Sequence, residues 1–475
     1  MKPLLAWVKK NVLIVIFCAV IVVSLPVAWF FSNGWNNSIR TQRQKAATDE
    51  LKKVQSTKVK YVLPQYEPGA TEISKDAPPT SALTTWFADQ RKALAAKADE
   101  VAARAEAFNR GTGEEAAAVG RSEHQPLVAG LFPGDGLKDD EVNEKLYELE
   151  RVFNPTNAGE VNPYQRMLDE ISAGGPADPR MLVTALSDLS TREREKITAN
   201  KRELTEDEQA GLTKMLRERR IAAYRARAGE VQVFAGSDVF NRNAKDGWSA
   251  IPEPQQIKAI DREPRPVKML YFFVWQWDYW CMHDVLAAIR VANTGPAGSR
   301  LNSLEAPVKR VMRVALRDPE GIFGSKEVDP STGAAPVAPT AAIPGLAPID
   351  KTLSVTGRGM GKWNPVYDVR RLELEVIVTS SKVTNLIDAI QRTNFMTVTS
   401  VELETVSPEA ELSQGYDYGG EHVVKAKLEI ESVWLRSWTS KLMPKALREA
   451  LGIPEAAPSD AAPAPSGSPA PPPGG

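Results

Sequence analysis

Cysteine is nearly missing from this chain: there are two in 475 residues, Cys18 and Cys281. Cys18 lies within an apolar run, so a single cysteine remains for the rest and no internal disulfide can brace the fold. Histidine is scarce too, and His124, His283 and His422 are scattered. No excess of one charge exists, with 59 Lys and Arg against 60 Asp and Glu, for a net charge of −1. A nucleic-acid binder would carry a basic surplus, so that partner is excluded. Catalytic signatures are absent as well: there is no G-x-S-x-G, no H-E-x-x-H and no EF-hand loop. The run from Gly357 to Lys362 approaches a phosphate loop. Thr356 stands where its first glycine belongs, however, Trp363 replaces the Ser or Thr, and a strand follows instead of a helix. It reads as a flexible hairpin loop. Cys281, His283 and Asp284 adjoin in sequence, but one helical turn does not project all three one way, and no second cluster completes a zinc site. The expectation is no catalytic residue, no metal and no cofactor.

What the chain does have is a long hydrophobic run. Val12 to Phe31 holds twenty residues without a charge. At about 1.5 Å per residue a helix over it reaches roughly 30 Å, the thickness of a bilayer's hydrocarbon core. A cleavable signal would have a core of about 7–15 residues ending in small side chains. This run instead continues into Ala28-Trp29-Phe30-Phe31, and Phe17 before Cys18 excludes a lipoprotein site. Trp29, Phe30, Phe31 and Trp35 crowd one end, as an interfacial aromatic belt does. Lys9 and Lys10 lie closer to the run than Arg40, Arg43 and Lys45 beyond it, which favours the N-terminus inside and the bulk outside.

The fold class expected is α+β. Residues 1–11 are a short tail, 12–31 a transmembrane helix and 32–110 a helical stalk with a linker at Pro64–Pro79. Within the stalk, Ser81–Arg110 carries one apolar residue per heptad at Phe87, Leu94, Val101 and Phe108, which fits either half of a coiled-coil seam or an Ala-rich surface helix. Residues 111–264 form a mostly helical middle region. In it, Thr205 to Glu208 fits a capping box, and the basic LRERR run that follows reads as a solvated helix end. Residues 265–437 read as helix–strand–strand, twice. Lys268–Asn293 is an aromatic-rich helix, and Val308–Leu316, Val369–Val378, Met396–Val406 and Val423–Leu435 are strands. Val383, Leu386, Ile387 and Ile390 mark a helix with one apolar face. That is a ferredoxin-like αββαββ sandwich with a permuted start, folding as a domain of its own and interrupted by an Ala/Pro-rich insert at 329–350. Ser407–Gly420 is a long polar loop, and 438–475 an Ala/Pro-rich disordered tail.

One short span followed by a stalk and two helix–strand–strand halves resembles the PilN/PilO group of inner-membrane scaffolds of type IV pili. These are related to the GspL/GspM components of type II secretion. The resemblance is strongest to PilO-like pilus-associated proteins of the Verrucomicrobia and Planctomycetes sphere. It is carried by VRRLELEVIVTSSKVTNLIDAIQRTNFMTVTSVELE and VVKAKLEIESVWL, and covers the anchor and the C-terminal part. It implies a single-pass protein of the bacterial inner membrane with its bulk in the periplasm. It also implies a non-catalytic role, pairing with itself or a paralogous single-pass scaffold, with the lipid bilayer as the other contact. Val433, Trp434 and Leu435, near the end of the last strand, are the candidate partner-binding residues. The other function class is an anchored extracytoplasmic sensor or ligand-binding module whose pocket is the aromatic helix. If the apolar run is an uncleaved anchor, the protein isolated from membranes retains residues 12–31. A mature N-terminus near Phe31, read by mass spectrometry, would overturn that.

Overall fold

The computed structural model describes residues 7–63, 72–153, 162–198, 203–240, 247–317, 354, 356–358 and 364–453. The 329–350 insert and the tail past Pro454 lie outside the described residues. The chain divides into two units, residues 1–102 and 103–475.

In the first unit α1 (Val12–Ser56) is one unbroken helix, so the apolar run and the charged segment after it form a single rod. Among the described residues it is the one helix long and apolar enough to cross a membrane, and none of its apolar window is buried. A hairpin follows, β1 (Val59–Leu63) with β2 (Ile73–Ala77), paired antiparallel with Tyr61 opposite Lys75. The sequence reading had a helix end and a linker there. The alternation of Val59 and Tyr61 with Lys58 and Lys60 is the strand signal it passed over. The long helix α2 (Ser81–Arg110) begins in this unit. Phe87 on it stacks on Tyr61 with ring centroids 4.9 Å apart, and the Tyr61 hydroxyl lies 3.1 Å from Thr84 Oγ1. Phe87 is therefore covered by the hairpin, while Val101, in the same stripe, is exposed.

In the second unit, α3 (Glu114–Ala118), α4 (Asp139–Phe153) and α5 (Pro163–Glu170) lead to β3 (Ala173–Gly174). The helices α6 (Pro179–Thr198) and α7 (Glu206–Glu230) follow, then β4 (Val233–Phe234) and α8 (Pro254–Ile260). α7 opens with the capping box. The Thr205 amide donates to Glu208 Oε2 at 3.0 Å and the Glu208 amide donates to Thr205 Oγ1 at 3.4 Å. The aromatic helix is α9 (Arg265–Ala292). Beyond it run β5 (Val308–Leu316), β6 (Tyr367–Thr379), α10 (Val383–Thr393) and β7 (Met396–Thr405), then α11 (Pro408–Ser413) and β8 (Val423–Leu435). The six-stranded sheet has the order β3-β4-β5-β6-β8-β7. β5 through β8 are mutually antiparallel, while β4 joins β5 parallel. The sheet is thus mixed and wider than the four antiparallel strands expected. Gly174, Val233 and Phe234, in strands of two residues each, are too short to show a period.

One face of the sheet carries Leu372, Leu374, Val376 and Val378 of β6, flanked by Ala426, Leu428 and Ile430 of β8 and by Val311, Val314 and Leu316 of β5. These belong to the same core as α9 and as Leu386 and Ile390 of α10. α9 is buried over most of its surface, with Tyr279, His283 and Arg290 left partly accessible. Phe153 of α4 lies 6.3 Å from Phe272 and 6.2 Å from Trp275, and Tyr164 of α5 lies 5.8 Å from Tyr279. The boundary drawn at 264/265 therefore does not separate two cores, because the middle region packs on α9. The chain also keeps its structure past 437. α12 (Arg436–Thr439) and α13 (Lys445–Ala450) bury Trp438, Met443, Leu447 and Leu451 in that core, so 438–453 belongs to the fold and not to a tail.

A fragment limited to 265–437 exposes the aromatic side of α9 and is expected to aggregate or to melt without cooperativity. The fragment 103–453 is expected to melt in one transition. Differential scanning calorimetry on both checks this; a sharp transition in the shorter one would show that the middle region is dispensable.

Candidate functional site

Trp434 is fully buried, within 6.1 Å of Trp277 and Trp280, 5.8 Å of Trp438 and 5.2 Å of His124 by ring centroids. Val433 is buried beside Val369, and Leu435 is half-buried against the core. β8, which carries all three, lies between β6 and β7 and is not an edge. Trp434 and Leu435 therefore help complete the main core and Val433 packs in a small separate cluster with Val369, because the strand that comes last in sequence is inserted inside the sheet. Most rings of the aromatic helix pack on one another and on α4, α5 and β8, while Tyr279, Trp280 and His283 line an open cleft.

Cys281, His283 and Asp284 face three different surroundings. Cys281 is buried, and burial pushes its thiol up, leaving an inert sulfhydryl. His283 lies at the surface with Nε2 3.1 Å from Glu170 Oε2, an interaction that holds the Glu170 carboxyl below its usual range. It lines an open cleft of about 390 Å³ with Glu170, Arg166 and Tyr279. Asp284 is fully buried. Its Oδ1 accepts from Arg121 Nε at 3.0 Å and lies 3.0 Å from His124 Nε2, while Oδ2 accepts from Asn394 Nδ2 at 2.6 Å. Burial alone would raise this carboxyl. Arg121, then His124, with the hydrogen bonds from His124 and Asn394, overcome that and hold it well below the carboxylate range. Among the described residues no group of three His, Cys, Asp or Glu side chains is placed to hold a metal.

Near the Gly357 loop, the hydroxyls of Ser354 and Thr356 donate to Glu431 Oε2 at 3.0 and 2.6 Å, and Arg358 Nη1 donates to it at 3.3 Å. These donors are thus taken up by the buried Glu431 carboxylate, and residues 359–363 of the loop lie outside the described residues. The LRERR run lies on an exposed stretch in the middle of α7 and not at its end, since the helix continues to Glu230.

The second face of the sheet is polar. Arg313 pairs with Glu373 at 2.8 Å, Arg317 with Glu429 at 3.1 Å and Lys425 with Glu375 at 3.0 Å. Burial would raise the Glu375 carboxyl, but Lys425 and Arg313 bring it below its usual value. At the margin of this face lies β7, which ends the strand order. Its first residue, Met396, is buried beneath α10, but its second half is exposed on both sides: Val401 is 40% and Leu403 55% exposed, alternating with Glu402 and Glu404. Among the described residues no strand pairs with its outer edge. Such an edge offers a row of backbone donors and acceptors to an added strand. The alternation is legible in the sequence, but the edge position is not.

No family model matches the chain, and no curated protein matches it. A crystal structure of a protein from Akkermansia muciniphila aligns at 10% identity with a TM-score of 0.20, over 65% of this chain and 99% of that one. A likeness that weak carries no argument about fold or function.

Arg121→Met leaves Asp284 buried without its main counter-charge and is expected to cost about 3–5 kcal/mol of stability. The pH dependence has a definite sign. A carboxylate depressed in the fold stabilises above the unfolded carboxylate range, near pH 4, and that contribution is lost as pH falls through the lower folded value. The wild-type melting temperature should therefore fall below about pH 4 more steeply than that of Asp284→Asn. Coincident slopes in an acid titration would show that Asp284 is not ionised in the fold.

Proposed function

We propose that this chain is a non-catalytic, membrane-anchored scaffold of the cell envelope. It is held in a bacterial inner membrane by α1 with its bulk in the periplasm, and it assembles with itself or a paralogous single-pass protein. It resembles alignment components of type IV pilus or type II secretion machinery. The observation that carries this reading is the open edge of β7 on a body whose anchor confines every copy to one plane. Two further features support it. The buried ionisable groups are taken up by ion pairs that hold the core. The strand order β5-β6-β8-β7, with α9 and α10 in the core of one face, also suits a permuted ferredoxin-like sandwich, a frame that presents edges.

Two measurements test the proposal. Alkaline phosphatase fused after Gly475 is expected to be active and a cytoplasmic reporter at the same point silent; the reverse would place the bulk inside. Sedimentation of the detergent-solubilised full chain is expected to show a species larger than the monomer, or crosslinking in cells to recover one membrane-anchored partner. A strict monomer with no crosslinked partner would overturn the scaffold reading.

A further inference from the structure

Among the described residues β1 and β7 are both edge strands, and their side chains match. The β1–β2 hairpin is a two-stranded ribbon, an arrangement that is marginal in water by itself. On β1, Val59 is 40% exposed, and Lys60 and Lys58, the residue just before the strand, are exposed with no ion pair among the described residues. On β7, Val401 and Leu403 point to one face and Glu402 and Glu404 to the other. Glu404 already lies against Lys427 and within 3.8 Å of Lys425, whereas Glu402 has no ion pair among the described residues. β7 is poorly suited to pair with its own copy. An antiparallel pairing centred on the exposed Leu403 sets Glu402 directly opposite the partner's Glu404, and like charges so placed destabilise a sheet.

We propose that β1 of a second copy of this chain adds to the open edge of β7 as an antiparallel strand. In the register that places Lys60 opposite Glu402, Lys58 falls opposite Glu404, Val59 opposite Leu403 and Tyr61 opposite Val401. Both charged pairs share one face and both apolar pairs the other. A slip by one residue sets lysines against Val401 and Leu403, so the pattern enforces the register. The parallel alternative keeps the charge pairs but brings Tyr61 to Thr405 and Thr57 to Val401, leaving one apolar pair. Arg91 Nη2 reaches the Val62 carbonyl at 3.5 Å, just beyond the strand positions this register uses. The apolar side also leads to aromatic surface: Tyr61 stacks on Phe87, whose ring lies 4.8 Å from that of the exposed Trp86. The inference rests on the scaffold reading, since the shared membrane plane raises the effective concentration of copies for so small a contact.

The test uses the full-length chain in membranes with Cys18→Ser and the buried Cys281 retained. Two differently tagged copies are co-expressed, one carrying Val59→Cys and the other Leu403→Cys, and oxidised with copper phenanthroline. A bridged species bearing both tags is expected at least about fivefold above the mismatched pair Val59→Cys with Glu402→Cys, whose thiols point to opposite faces. Glu402→Lys should weaken the matched bridge about two- to fivefold, the size of one cross-strand charge pair, and Lys60→Glu in the other copy should restore it. Equal yields for matched and mismatched pairs would overturn the proposal. So would a chain carrying both substitutions that closes on itself without a second copy. If the wild type self-associates but the matched bridge fails, this pairing falls and the scaffold reading stands. A wild type that does not self-associate at all removes both.

Discussion

Three buried Arg–Asp pairs hold the second unit in register. Arg370 of β6 meets Asp278 of α9, and Trp248 Nε1 donates to the same carboxylate at 2.7 Å. Arg121, after α3, meets Asp284 two helical turns further along α9. Arg436 of α12 donates through Nε to Asp368 of β6 at 3.0 Å. All six side chains are almost completely buried. An isolated charge there would be prohibitive, so each aspartate admits one arrangement of the chain, the one that brings its arginine. Their worth lies less in net stability than in specification, because a well-packed apolar substitute could be as stable, whereas losing one partner costs about 3–5 kcal/mol. The pairs differ in strength of compensation. Asp284 has a guanidinium, an imidazole and an amide around it and is held low, while Asp368 leans on Arg436 and burial keeps its carboxyl raised.

These pairs join segments distant in sequence, and the rest of the architecture follows from them. α9 is fixed to the sheet by Arg370 and to the N-terminal side of the unit by Arg121. The aromatic rings then fill the space between, with the middle helices on one side of α9 and the sheet and α10 on the other. The C-terminal helices close over Trp434 and Trp438 because Arg436 ties them to β6. A core organised in this way turns most of its aromatic residues inward, and the apolar side chains left exposed on this unit include Met181, Val183 and Val366 as well as Val401 and Leu403 of β7. The charged second face of the sheet is laced by Arg313, Arg317 and Lys425, whose partly buried side chains are paired with Glu373, Glu429 and Glu375.

Much of this was readable residue by residue. The strand at Val423–Leu435 and the helix at Ser81–Arg110 stand where periodicity puts them, and Thr205 caps its helix as the spacing requires. Val383, Leu386 and Ile390 are buried as their i, i+3, i+7 spacing implies. What misled the reading was order in space. Trp434 lies on the strand that comes last in sequence, yet β8 slots between β6 and β7 and places it at the centre. The β1–β2 hairpin leaves little local signal because its strands are five residues each and flanked by prolines. Arg436, Trp438 and Leu447 went unnoticed because they border an Ala/Pro-rich stretch whose composition dominated the reading.

By itself the sequence determined the local structure: the apolar helix long enough for a bilayer, the helices and strands of the C-terminal half, and the absence of a recognisable catalytic motif. Those features depend on period, length and composition over a few turns of chain, which local physics decides. The tertiary structure alone decided which strand is an edge, which aspartates find an arginine, and that the middle region shares one core with the sheet. Each of these is a contact between segments tens to hundreds of residues apart. Its free energy depends on burial and charge pairing in three dimensions, for which no local pattern in the chain is a proxy.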